Sequence, residues 1–149
     1  LFSPNGVRFR WTIEKPLPDR LRELHSRDDR DALVAHVEPQ AIDVFVVSAL
    51  EDVDEPGRYR MGVCWTERNT RGRYVVVAKH ARPTVLAHEL GHLFGNPHSD
   101  QTDNLMSYSR TGATVFLDDA QSARIRRFAR NFLTTGRFVD VGPPLRRIP

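Results

Sequence analysis

The chain has very little cysteine. Cys64 is the single cysteine among 149 residues, so an intramolecular disulfide is impossible and a Cys₄ or Cys₂His₂ zinc finger is excluded. Free cysteine behaves as a small hydrophobic residue. We therefore expect Cys64 to be a half-buried residue of a strand rather than a reactive thiol.

Long apolar runs are also lacking. The longest largely apolar stretch, residues 44–50, is far shorter than the roughly 20 residues of a membrane helix, so we expect no membrane partner. Residues 1–6 have neither the basic start nor the apolar core of a signal peptide. Because the first residue is leucine, we expect that the chain is cut from a longer precursor.

No strong excess of charge of either sign is present. The net charge is +3, from 22 basic and 19 acidic residues, which is too weak to indicate a nucleic-acid partner. Hydrophobic residues make up 40% and charged residues 28%, as in ordinary globular proteins. The length predicts a single domain over residues 1–149, which we expect to be a monomer.

Alternating and β-branched segments predict four strands. Residues 7–14 alternate strictly between apolar and polar, which indicates a half-buried strand, and residues 42–47 are almost continuously apolar, which indicates a buried central strand. Residues 60–66 and 74–79 are strand-like and are joined by a polar turn. We expect them to form a hairpin at a sheet edge.

Three further segments are predicted to be helical. Residues 19–37 favour one helix or two short ones, with weak periodicity. A second helix has Thr84 as its predicted N-cap and Gly95 as a left-handed residue after its end. The last helix begins at Asp118 or Asp119 and ends near Gly136, and the tail from Gly142 is predicted to be extended. Its apolar face comprises Ile125, Phe128, Ala129 and Phe132.

The chemically informative stretch surrounds the second helix. His88 and His92 are four residues apart, so on a helix both imidazoles project from one face and can bind one ion. Glu89 lies about 100° round that helix, where a general base can flank a metal without ligating it. Gly95 permits a sharp turn that returns His98 as a third ligand. Three protein ligands and an open position are typical of catalytic zinc.

This stretch resembles the signature of the metzincin zinc peptidases, HExxHxxGxxH followed by a methionine turn. Met106 follows His98 by eight residues, and with Ser99 this spacing is similar to the matrixins. The run from Leu105 to Tyr108 looks more like the serralysins. The turn's asparagine and the Asp-Asp-Ala-Gln helix start resemble pappalysin-like enzymes. The chain departs from the usual pattern at Asn96-Pro97 and in a short region before residue 42.

The resemblance implies a fold and an activity. The fold would be α/β of the α+β kind: a twisted mixed sheet with an edge strand, a zinc-binding helix, a methionine turn and a C-terminal helix. The activity would be that of a secreted zinc endopeptidase, in which Glu89 is the general base for a zinc-activated water. Met106 would be a hydrophobic base beneath the zinc. An extended peptide or protein substrate would add to the edge strand at residues 61–66.

Several alternatives stay open. Tyr108 is either an oxyanion donor or fifth zinc ligand, or a packing residue of its loop. The domain is either a peptidase or a catalytically inactive zinc-binding module that binds peptides. The acidic loop with Asp52, Asp54 and Glu55 is either solvated or a calcium site. A basic patch on the last helix is either a solvated face or a polyanion site: Arg124, Arg126, Arg127 and Arg130. We expect His25, His36 and His80 to be surface residues.

Overall fold

Helices and short strands alternate along the chain. A computed structural model describes residues 1–11 and 15–142. Within these ranges the protein is mixed α/β, with three α-helices and five strands. In chain order they are β1 (Glu23–Leu24), α1 (Arg27–Ala32), β2 (Val44–Val47), β3 (Ala49–Leu50), β4 (Gly62–Thr66), β5 (Arg73–Ala78), α2 (Pro83–Leu93) and α3 (Asp119–Thr134). Within the described ranges, no helix is long and apolar enough to cross a bilayer.

The main sheet has three strands in the order β2-β5-β4. β2 is parallel to β5, and β4 is antiparallel to β5 with Cys64 opposite Val75. The predicted hairpin is therefore confirmed, with β4 at the sheet edge. β1 and β3 form a separate parallel pair.

The prediction that residues 42–47 form the central strand is wrong. β2 lies at the other edge of the sheet, and its Val46 is 58% exposed. The buried central strand is β5, in which Tyr74, Val75 and Val76 are inaccessible to solvent. An apolar run predicts that the side chains of a strand are buried. It does not predict whether the strand has one neighbour in the sheet or two.

Each face of the sheet covers a different hydrophobic core. Val75 and Val77 point to the face covered by α2 and α3, where Leu90, Leu93 and Ile125 pack. Tyr74 and Val76 point to the opposite face, where Leu24 and Leu33 pack. This alternation follows from the two-residue period of a strand, and it places α2 directly against the sheet.

At the N-terminal end, the strand prediction is wrong, and the helical prediction for residues 19–37 is confirmed in part. The part of the predicted strand at residues 7–11 has no strand structure, and residues 12–14 lie outside the described residues. Phe9 instead contacts the rings of Phe2 and Phe94, while Trp11 is 72% exposed. Residues 19–37 are divided among a 3₁₀ turn, β1, α1 and a second 3₁₀ turn. The Ser26–Asp29 capping box fixes where α1 begins.

The two long helices fit their predictions more closely. α2 begins at Pro83 with Arg82 as the N-cap, not Thr84, because proline suits the first helical position, whose N–H would have no partner. Gly95 has φ +81° as predicted, and a Cβ there would lie 2.4 Å from Phe128.

α3 begins after Asp118, whose side chain forms a capping box with Gln121. Its predicted apolar face packs into the core, and Gly136 follows its end with φ +67°. The predicted extended tail lies, beyond Gly142, outside the described residues.

Candidate metal centre

Three histidine side chains converge on one point. α2 supplies His88 and His92, and the turn at Gly95 reverses the chain so that His98 returns to them. The Nε2 atom of His92 lies 3.1 Å from the Nε2 atoms of both His88 and His98. Among the described residues, this is the one group of three His, Cys, Asp or Glu side chains whose ligand atoms could share a metal ion.

Hydrogen bonds on the far side of two rings fix which nitrogen faces this point. The Nδ1 of His88 lies 2.8 Å from the carbonyl oxygen of Leu105, and the Nδ1 of His92 lies 2.7 Å from that of Asn96. A carbonyl oxygen can only accept, so each Nδ1 carries the proton and each Nε2 presents a lone pair. Such second partners are typical of metal-binding histidines.

The gathered lone pairs fit a metal ion of the zinc type. Two lone pairs 3.1 Å apart repel each other unless a cation or a proton lies between them. Zn–N bonds of about 2.0–2.1 Å in a tetrahedral arrangement separate two ligand nitrogens by roughly 3.3 Å, close to what is observed. Burial lowers the pKa of His88 and lowers that of His92 to about 4, so both imidazoles stay neutral and able to ligate at neutral pH.

Glu89 lines the cleft beside these histidines. Its side chain is largely buried, and burial raises its pKa to about 7, so the carboxyl group is suited to both accept and donate a proton. Gly62 on β4 creates the room: a Cβ at that position would lie 2.9 Å from Cγ of Glu89 and 2.6 Å from Val85. The glycine therefore sets how closely β4 approaches α2.

Met106 is fully buried and packs against α2 at Gly91. A Cβ on Gly91 would lie 2.4 Å from its sulfur, so the helix can rest on the methionine only because residue 91 has no side chain. The position agrees with the predicted packing role.

Asn104 and Gln121 hold the turn in place, and the sequence analysis did not connect them. The buried Asn104 amide exchanges hydrogen bonds with Gln121, at 2.9 and 3.0 Å, and its Oδ1 accepts from the Met106 N–H. Gln121 also belongs to the capping box of α3. Both residues stand in motifs noted in the sequence, the Asn-containing turn and the Asp-Asp-Ala-Gln helix start. Because they are 17 positions apart, nothing in the local sequence indicates that they contact each other.

Tyr108 stands at the open side of the centre. Its hydroxyl lies 2.8 Å from Nε2 of His98, and the side chain is 74% exposed. The centroid of its ring lies 4.8 Å from that of His98 and 5.5 Å from that of His88, so both the hydroxyl and the ring are close to the histidines.

A cleft of about 470 Å³ opens over the histidines, lined by β4, α2 and the His98 loop. Two arginines that the sequence analysis did not single out also line it: Arg60 and Arg73. Arg73 donates from Nη2 to the backbone carbonyl of His92 at 2.9 Å. The sequence predicts that Arg73 belongs to the turn before β5. The side chain faces α2 because of the register in which β5 pairs with β4, which the sequence does not show.

The remaining candidate residues do not belong to the group of three histidines. The Asp52 carboxylate accepts from the N–H groups of Asp54 and Glu55 and from Arg60, so its oxygens already have partners and nothing in this loop favours calcium. Cys64 is half-buried in β4, as expected. His25 and His80 are exposed, whereas His36 is partly buried.

The four arginines of the predicted basic patch on α3 differ in their surroundings. Arg124 donates to Asn96 and Arg126 donates to Asn5, so these two guanidinium groups are anchored against other parts of the fold. Arg127 and Arg130 are exposed.

Comparison with known proteins adds no assignment, since no family model and no curated protein matches the chain.

Proposed function

We propose that the chain is a zinc-dependent endopeptidase of the metzincin type. The observation that carries the proposal is the meeting of three Nε2 atoms beside a cleft that His92, His98 and Glu89 line. The fit of the histidines to a zinc-type ion and the resemblance of residues 88–106 to the metzincin signature support it.

Each side chain has a role in this proposal. His88, His92 and His98 would hold the zinc ion, which supplies a Lewis acid for activating water and polarising a carbonyl group. Glu89 accepts a proton as a water oxygen bonds to the peptide carbonyl carbon. It returns that proton to the amine nitrogen as the C–N bond breaks. Tyr108 donates a hydrogen bond to the carbonyl oxygen as negative charge develops there.

The free edge of β4 gives the substrate a place to bind. β4 pairs with β5 on one side only, and Gly62, Val63 and Cys64 line the cleft. An extended peptide can add to such an edge through backbone hydrogen bonds. This would bring a peptide bond past the histidines.

The test compares two variants in zinc content and in cleavage of casein. We expect Glu89→Gln to keep its zinc and fold but to lose about 10²–10⁴-fold in activity, because a positioned acid/base contributes that much. His98→Ala should lose both zinc and activity, since two histidines rarely hold zinc tightly.

The exposed His80→Ala serves as the matched control and should change neither quantity. Zinc binding without cleavage by the unaltered protein would contradict the enzyme and favour the inactive peptide-binding module. Full activity after chelation would contradict the metal as well.

A further inference from the structure

One end of the cleft carries a positive charge without a counter-ion. Arg73 enters the cleft from β5, and its Nη2 donates to the His92 carbonyl and contacts the Cys64 sulfur at 3.4 Å. Its Nε is buried and has no hydrogen-bond partner in the described part of the chain. Among the described residues no carboxylate lies within ion-pair distance of Arg73.

The residues around Arg73 add donors and positive charge. Asn96 is 2% exposed, its Oδ1 accepts from Arg124 at 3.2 Å, and its Nδ2 has no partner. Arg137 lies close enough that its own burial and then the charge of Arg73 lower its pKa. We call Arg73, Asn96, Arg124 and Arg137 the cationic corner. The cationic corner has more hydrogen-bond donors than the described residues have acceptors to pair with them.

The other end of the cleft is different. Arg60 pairs with Asp52 at 2.6 Å, and that carboxylate is almost completely buried, so the charge of Arg60 is already matched. Glu89 is the one carboxylate among the described residues that line the cleft, and it packs at the Gly62 end. The unmatched charge is therefore confined to the Arg73 end.

A carboxylate on the ligand would supply what this corner lacks. The planar guanidinium of arginine matches the geometry of a carboxylate, and such charge-assisted hydrogen bonds are about twice as strong as neutral ones. Arg73 donates to the backbone of His92, which is itself one of the three converging histidines. A group bound at Arg73 would thus lie close to the bond that is cleaved.

We propose, resting on the peptidase function above, that the cleft selects substrates with a carboxylate close to the scissile bond. Arg73 binds this carboxylate, and Asn96 lies beside it as a second donor. The carboxylate can belong to an aspartate or glutamate side chain or to the C-terminus of a short peptide. Both sources present the same group to the cationic corner.

The experiment uses four peptides built on one casein segment, taken at a cleavage site where mass spectrometry locates one and at a fixed segment of casein otherwise. They carry glutamate or glutamine next to the cleaved bond, each with a free or an amidated C-terminus. We expect the glutamate peptides to be cleaved with a kcat/KM roughly tenfold or more above that of the glutamine peptides. A preference that follows the free C-terminus instead assigns the carboxylate to that source. Equal kcat/KM for all four peptides would overturn the inference and leave the peptidase intact.

Variants tie the preference to one residue. Arg73→Gln should abolish the preference for the carboxylate peptides, while Arg73→Lys should keep part of it because the charge remains. Arg130→Gln removes the same charge from an exposed position on α3 and should keep the full preference. If Arg130→Gln also abolishes it, the effect belongs to net charge and the assignment to Arg73 is wrong.

Binding separates this inference from the peptidase proposal. Fluorescence anisotropy with the Glu89→Gln protein measures the affinity for the same four peptides without turnover. If no peptide is cleaved by the unaltered protein, the peptidase proposal fails, while tighter binding of the carboxylate peptides still supports the cationic corner. Equal affinity for all four peptides overturns it. This comparison does not require Arg73→Gln to fold.

Discussion

At the scale of single residues, a substitution at Tyr108 distinguishes a catalytic role of the hydroxyl from a packing role of the ring. We expect Tyr108→Phe to keep zinc and melting temperature near those of the unaltered protein, because the ring is mostly exposed. Turnover should fall at least about tenfold with little change in KM, since the hydroxyl acts mainly as charge develops on the oxygen. Steady-state kinetics on a peptide substrate provide the measurement. Unchanged turnover would make Tyr108 a loop residue without a catalytic role.

Gly91 tests how closely Met106 packs against α2. Alanine is ordinarily favoured over glycine inside a helix by about 1 kcal/mol, but here its Cβ would meet the Met106 sulfur. Overpacking of this kind costs about 1–3 kcal/mol, so we expect Gly91→Ala to lower the free energy of unfolding. Denaturant unfolding measures the change.

A double-mutant cycle shows whether Met106 is the cause. Gly91→Ala should cost less stability in a Met106→Ala background, where the obstructing sulfur is gone. Equal costs in both backgrounds would mean that the helix and the methionine do not press on each other.

At the scale of elements, the turn between β4 and β5 depends on one buried carboxylate. Glu67 accepts hydrogen bonds from the Asn69 N–H and from the N–H and hydroxyl of Thr70. These bonds lower its pKa from the ordinary value of 4.5 to about 2. Since the folded pKa is the lower one, the stabilisation is present above pH 4.5 and is lost as the pH falls toward 2.

The prediction follows from that sign. Glu67→Gln should unfold at lower denaturant than the unaltered protein at pH 7, and the difference should shrink at pH 3. Asp100→Asn, at an exposed position that forms no ion pair among the described residues, is the control and should leave the pH dependence unchanged. A difference between Glu67→Gln and the unaltered protein that stays constant from pH 7 to pH 3 would contradict the carboxylate's role.

The elements that the sequence predicts well are those with local signals. α3 has its cap at Asp118 and its apolar face within one segment, and the hairpin has two strands joined by a short turn. Both can be predicted because the residues that determine them are neighbours. The same holds for the three histidines, whose spacing alone brings two of them onto one helix face.

The elements that the sequence predicts poorly depend on distant partners. Residues 7–11 alternate like a strand, but alternation does not supply a neighbouring strand, and the Phe9 ring packs on Phe94 instead. The order of strands in the sheet is likewise set by the burial of β5 between two cores. The contacts of Arg73 and the contact between Asn104 and Gln121 could not be predicted for the same reason, since the paired residues lie 9–19 and 17 positions apart.

At the scale of the whole molecule, a bound ion should stabilise the fold. A ligand that binds only the native state at 1,000 times its Kd adds about 4 kcal/mol. For a domain of this size that corresponds to roughly 10 °C in melting temperature. We expect a chelator to lower the melting temperature of the unaltered protein by about this amount, as followed by calorimetry.

The chelator should have almost no effect on His98→Ala, whose melting temperature should already match that of the chelated protein. An equal response of both proteins would mean that the ion binds elsewhere. No response in either would mean that the three histidines hold no ion in solution.

The short span of the candidate metal centre has a consequence for the order of folding. The three histidines, the glycine turn and the methionine all lie between residues 88 and 106, and the carbonyls that orient the imidazoles belong to the same segment. Closing such short loops costs little chain entropy, whereas pairing β2 with β5 must close a loop of about 30 residues. A metal ion added to the unfolded chain can therefore organise residues 88–106 before the sheet exists. Refolding with metal present from the start should begin at the histidines rather than end there.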